Sequence, residues 1–64
     1  MTKAEAIKNQ IMAIRDSGVI NMLDVRGVQA VAARLCFWTL VDFIEYDRNG
    51  YVNFIMSGNE MYLA

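Results

Sequence analysis

The sequence has no histidine, no proline and a single cysteine among its 64 residues. Without histidine the commonest general base is missing. Cys36 therefore has no imidazole to activate it, and no serine sits in a nucleophile motif. One cysteine also excludes an intramolecular disulfide framework. Cys36 lies among apolar residues, where a free thiol is expected to pack as a small buried hydrophobe. Neither sign of charge dominates: six basic residues face seven acidic ones, and the pI is about 5.0. That balance offers no footprint for a phosphate backbone and argues against nucleic acid as a partner. Runs of like charge, low-complexity tracts and solenoid-length repeats are missing as well. The opening "MTKAEAIKNQ" lacks an apolar signal core. The longest greasy stretch, "VQAVAARLCFWTLV", is too short to span a bilayer and carries Arg34 near its middle. These absences predict a soluble, cytoplasmic protein that is not an enzyme, with no membrane contact, no cofactor and no metal.

What is present is apolar side chain. Hydrophobic residues make up 56% of the chain, including three Phe, three Tyr, one Trp and five Met, above the roughly 45–50% of ordinary domains. A chain this short forms one domain at most and buries a modest share of its surface. More large apolar side chains are available than one small core accommodates, so a self-associating surface is expected.

Helical periodicity runs through most of the chain. Thr2 and Glu5 form a T-x-x-E capping box. Ile7, Ile11 and Ile14 follow as one stripe, and Gly18 is the natural stop, in the left-handed conformation. Val19 is placed to fold back on Ile14. Asp24 is an N-cap for "VRGVQAVAARL", with Leu23 and Val28 spaced for a hydrophobic staple. Val28, Val31, Ala32 and Leu35 give its apolar face, and Gly27 permits a close backbone approach. In "FWTLVDFIEY", Phe37, Leu40, Val41 and Ile44 form a stripe that Trp38, Phe43 and Tyr46 extend most of the way round, leaving Asp42 and Glu45 wet. Such a helix is expected to be buried on several sides. No breaker separates it from the preceding helix. A bend near Cys36 is favoured over one helix from Val25 to Tyr46. After a turn at "DRNG", residues 51–57 fit either a helical or a strand face. No partner strand exists, so a short helix ending at Gly58 is favoured. The predicted fold is all-α, with three or four short helices over residues 1–58, completed by homo-oligomerisation, and a flexible tail over 59–64.

The stretch "EYDRNGYVNFIM" also reads as much of a calcium loop. With Gly50 at the sixth position, Glu45, Asp47, Asn49 and Asn53 fall at the first, third, fifth and ninth. Met56 takes the twelfth, where a bidentate carboxylate belongs, and a thioether suits a hard cation poorly. A turn with Gly50 or Asn49 at positive φ is the plainer reading. Asp42 and Glu45 resemble a catalytic carboxylate pair, but no ligand set accompanies them, and a solvated strip is the simpler account. Helices two and three have helix-turn-helix spacing, yet the second presents Trp38, Asp42, Phe43 and Glu45, the wrong chemistry for a major groove. Arg26 and Arg34 share a face of helix two, where solvated or salt-bridged side chains are the default.

The segments "QIMAIRDSGVINMLD", Val28-Gln29, "LVDFIE" and "YVNFI" followed by Gly58 resemble a family of short proteins known as a domain of unknown function. Ile14 to Gly18, with Asn21 and Met22, carry most of that resemblance, which runs from about Thr2 to Gly58. It implies one short soluble unit in Gram-positive bacteria, their phages and prophages. It implies no activity, ligand or catalytic residue. The expected function is a self-associating protein–protein interaction module, with itself as a dimer partner and a host or phage protein as the other. The expected interface is Phe37, Trp38, Phe43, Tyr46 and Phe54. The alternative is a dimeric helix-turn-helix regulator binding nucleic acid.

Overall fold

The computed structural model describes residues 2–63. Met1 and Ala64, the first residue of the expected domain and the last of the expected tail, lie outside the described residues. Helix α1 spans Lys3–Ser17, α2 Val25–Arg34, α3 Trp38–Tyr46 and α4 Arg48–Ser57, and a single 3-10 turn follows over Glu60–Leu63. Among the described residues there is no strand, so the all-α expectation holds and residues 51–57 are helical.

Helix α1 forms as its sequence dictates. The Thr2 hydroxyl accepts from the Glu5 N–H at 3.1 Å and also lies 3.3 Å from the Glu5 carboxylate. Ile7, Ile11 and Ile14 are buried to 0–1% exposure. Gly18 ends the helix at φ 66°, its N–H returning to the Arg15 carbonyl. Val19 does not fold back; it is 66% exposed.

Two helices start with the same device. Asp24 accepts from the Gly27 N–H at 3.1 Å, and Asp47 accepts from the Gly50 N–H at 3.0 Å. Each is an Asp-x-x-Gly N-cap, which satisfies one of the free donors of a first turn. A Cβ at Gly27 would collide with Ile20 Cδ1 and lie 2.6 Å from Asp24 Oδ2, and one at Gly50 would lie 2.5 Å from Asp47 Oδ2. The close approach expected at Gly27 is thus made by side chains rather than by another backbone. Leu23, expected to staple onto Val28, remains half-exposed, and Val25 is buried in the first turn instead.

The bend near Cys36 is present. Cys36 adopts φ 60°, its N–H bonds the Ala33 carbonyl at 3.1 Å, and the Phe37 N–H bonds the Ala32 carbonyl at 2.8 Å. This pair of bonds closes a helix through a left-handed residue, a place usually held by glycine. It stops α2 and rules out one helix from Val25 to Tyr46. Cys36 is exposed, not buried as its apolar neighbours suggested. The left-handed corner turns its side chain out of the α2 apolar face.

The segment "DRNG" is not a free turn. Asp47 ends α3 through its N–H to the Phe43 carbonyl and starts α4 with its carboxylate, so Asn49 and Gly50 fall in the first turn of α4. Positive φ among the described residues is confined to Gly18, Cys36 and Gly58.

Helix α3 packs on α1, α2 and α4, and the final 3-10 turn packs on α1 and α4. The segment after Gly58, expected to be a flexible tail, instead brings Leu63 into the core at 2% exposure and pairs Glu60 with Lys8. The core joins residues of every element: Ile7, Ile11, Ile14, Val25, Val28, Ala32, Leu40, Phe43, Ile44, Tyr51, Phe54 and Leu63. The radius of gyration is 10.2 Å, close to the roughly 11 Å expected for a folded chain of this length. One chain therefore closes its own core.

Candidate functional site

Helix α3 is the most heavily positioned element in the molecule. Phe37 is its N-cap residue and offers no side-chain bond. The missing acceptor comes from α1: Gln10 Oε1 accepts from the Leu40 N–H at 2.9 Å. On α2, Gln29 Nε2 donates to the Val41 carbonyl at 3.2 Å and to Glu45 at 3.1 Å. Leu40, Phe43 and Ile44 point into the core. The core residues take one side of α3 and leave the opposite side exposed, with Glu45, which Gln29 reaches, at its edge.

That opposite side carries Trp38, Asp42 and Tyr46, four residues apart and hence on one face. Trp38 is 58% exposed and Tyr46 87% exposed. A shallow groove of about 400 Å³ runs between this face and the start of α1, lined by Thr2, Lys3, Ala6, Trp38, Thr39 and Asp42. A second hollow of about 340 Å³ adjoins it, lined by Lys3, Asp42, Phe43, Tyr46, Asp47 and Leu63. Lys3 and Asp42 belong to both, so the two hollows adjoin and together make up a trough with Trp38 in one part and Tyr46 in the other.

The five expected interface residues separate. Trp38 and Tyr46 are exposed and share the trough. Phe37 is half-buried against the core, while Phe43 and Phe54 lie inside it at 8% and 6% exposure. Helix α3 does pack on three other helices, as expected of a helix buried on several sides, but its wet side is wider than Asp42 and Glu45 and includes the two largest rings of the helix.

The residues of the calcium-loop pattern are distributed over two helices. Glu45 sits in α3 and accepts from Gln29, Asp47 caps α4, and Asn49 and Gly50 lie in the first turn of α4. The Asp47 carboxylate is engaged by the helix it starts. Among the described residues no group of three His, Cys, Asp or Glu side chains is placed to hold a metal ion. No described helix is long and apolar enough to cross a membrane.

Among the described residues one titratable group is clearly perturbed. Tyr51 is fully buried, and its hydroxyl donates to the Met22 carbonyl at 2.7 Å. Burial pushes its phenol up to about 12 from 10.0, because the phenolate would lose hydration. Tyr51 ties α4 to the α1–α2 connection and has no access to the trough. Sequence reasoning missed Gln10, Gln29 and Tyr51 as positioning groups. Their partners lie 30, 12 to 16 and 29 residues away, beyond the reach of any local pattern.

The architecture is that of a small four-helix domain with one exposed aromatic trough. The chain belongs to the family described as Domain of unknown function (DUF5049), which it matches over residues 1–59. No curated protein matches it. No solved structure matches it either.

Proposed function

We propose that this chain is a small, non-catalytic protein–protein interaction module that self-associates as a dimer and binds a second protein. The supporting observation is the exposure of Trp38 and Tyr46 on one face of α3, a helix whose other face is fixed in the core. Aromatic residues at this exposure are enriched at protein interfaces. Pairing about a twofold axis covers the same patch on both copies at once. The proposed setting is cytoplasmic, in a phage or prophage accessory gene whose product binds a host or phage protein, on the strength of the resemblance described above.

The core does not depend on the dimer, since one chain closes it. Dissociation is therefore expected to yield folded monomers. Sedimentation equilibrium at micromolar concentration tests the reading: a dimer is expected, and Trp38→Glu is expected to give a monomer with unchanged helical circular dichroism. The melting temperature of the unaltered chain should rise with concentration. A well-folded monomer at these concentrations would sink the proposal. The helix-turn-helix alternative rests on the short α2–α3 joint alone. Asp42 and Glu45 lie on the exposed side of α3 and would meet phosphates with like charge.

A further inference from the structure

We infer that two copies of this chain pair with their α3 helices antiparallel, Trp38 of each copy on Tyr46 of the other and Lys3 of each beside Asp42 of the other. This rests on the self-association proposed above and specifies its register. Trp38 and Tyr46 stand eight residues apart on α3, about 12 Å at 1.5 Å per residue, with Asp42 midway between them. Antiparallel pairing about an axis at Asp42 sets the unlike rings against each other at both ends of the trough. Parallel pairing would instead stack Trp38 on Trp38 and Tyr46 on Tyr46, and would set the two helix dipoles side by side in the same sense, like end against like end.

Asp42 alone would oppose such pairing, because the axis brings two carboxylates together and like charges at close range repel. Lys3 answers this. It lines both halves of the trough with Asp42, yet among the described residues it forms no ion pair. The other carboxylate in the trough, Asp47, is held by the Gly50 N–H. Each Lys3 then reaches the Asp42 of the other copy, and the two pairs neutralise the axis. The rings supply the apolar area. A buried Trp or Tyr covers roughly 150–250 Å², and at their present exposures the pair offers on the order of 300 Å² per copy. Thr2, Ala6 and Thr39 extend this patch toward the roughly 800 Å² per partner of a standard interface.

Charge reversal tests the register. Asp42→Lys leaves only positive charge at the axis, and Lys3→Glu leaves only negative charge. Each is expected to weaken the dimer by at least about tenfold in sedimentation equilibrium. An equimolar mixture of the two variants is expected to form a heterodimer, since the wholly positive centre of one chain then faces the wholly negative centre of the other. The double variant, in which the two charges exchange places, should dimerise with itself.

The mixture separates contacts between chains from contacts within one. If both single variants are monomeric and the mixture stays monomeric, the charges act within one chain and the register is wrong. Single variants that dimerise as tightly as the unaltered chain also overturn the register, while leaving self-association intact. A monomeric unaltered chain removes both proposals at the first measurement. Should Asp42→Lys lose its helical circular dichroism, Asp42→Asn and Lys3→Met replace the reversals. Their effects on the dimer constant are then expected to be non-additive, and additive effects would overturn the pairing.

Discussion

The two joints on either side of α3 solve the same problem by opposite means. Between α3 and α4 a single residue suffices: the Asp47 N–H ends one helix and its carboxylate starts the next. Every bond in that joint lies within four residues. Between α2 and α3 the chain turns through Cys36 in the left-handed conformation, and α3 begins on Phe37 with no side-chain cap of its own. The bond that completes this second start comes from Gln10, on α1. A joint can thus be held by its own side chains or by the tertiary structure around it, and the two kinds respond differently to substitution.

The largest expected effect comes from the tie that holds α4 beyond its joint. Tyr51 has a phenol raised from 10.0 to about 12 in the folded chain. Its contribution is complete below pH 10, where the unfolded phenol is also protonated, and is lost as pH rises from 10 through 12. A shift of that size corresponds to on the order of 2 kcal/mol. Tyr51→Phe should cost about 1 kcal/mol at pH 8, by removing the bond to Met22, and should lack this part of the alkaline loss. Urea unfolding of both proteins at about pH 8 and about pH 11 checks it: a gap of the same size and sign at both values would contradict the assignment.

Gly18 calibrates the left-handed corner, since it shares its conformation with Cys36. Gly18→Val places a β-branched residue at φ 66° and should destabilise the fold by about 1–2 kcal/mol. The space around its Cβ position is open, so no clash there adds to the backbone strain, which the lost freedom of the unfolded chain offsets only in part. An unchanged denaturation midpoint would mean that the corner carries no strain, and the contrast between the joints would lose its basis.

At the α2–α3 joint, Gln10→Ala leaves the part-buried Leu40 N–H without its acceptor and should cost about 1–1.5 kcal/mol. Asp47→Ala removes a local cap and should cost about 1 kcal/mol. Hydrogen exchange distinguishes the two: Asp47→Ala should speed exchange chiefly in the first turn of α4, whereas Gln10→Ala should loosen α1 and α3 together. Equal, purely local effects would erase the distinction.

The smallest effect has the opposite sign. Cys36→Gly should stabilise the chain by about 0.5 kcal/mol, because relief of the left-handed strain exceeds the added freedom of the unfolded chain. A lower melting temperature would show that the thiol makes a contact that outweighs the strain.

Much of the helix punctuation was legible because its chemistry is local. Thr2, Gly18, Asp24 and Gly58 act on groups within four residues of themselves: Thr2 and Asp24 accept the N–H three residues on, and Gly18 and Gly58 close their helices in the left-handed conformation. The α4 start was also legible in principle. Asp47-Arg-Asn-Gly50 repeats the Asp-x-x-Gly spacing of Asp24-Val-Arg-Gly27, but the same residues also fit part of a calcium loop and the turn preference of Asn-Gly. The trough was legible only in part. An excess of large apolar side chains pointed to α3, yet the residues named for its surface included Phe43 and Phe54, which are core.

Local chemistry and periodicity determine that this chain is helical, where α1 and α2 begin, and that Ile7, Ile11 and Ile14 face inward, since each follows from bonds or spacings inside one helix. Only the tertiary structure decides which rings of α3 are covered. Its apolar residues encircle most of the helix, so periodicity defines no unique inner face. Gln10 from α1 and Gln29 from α2 fix its placement, turning Leu40, Phe43 and Ile44 inward and leaving Trp38 and Tyr46 in solvent. The same holds for Leu63, which carries no local signal because what stabilises it is burial against elements that are distant in the chain.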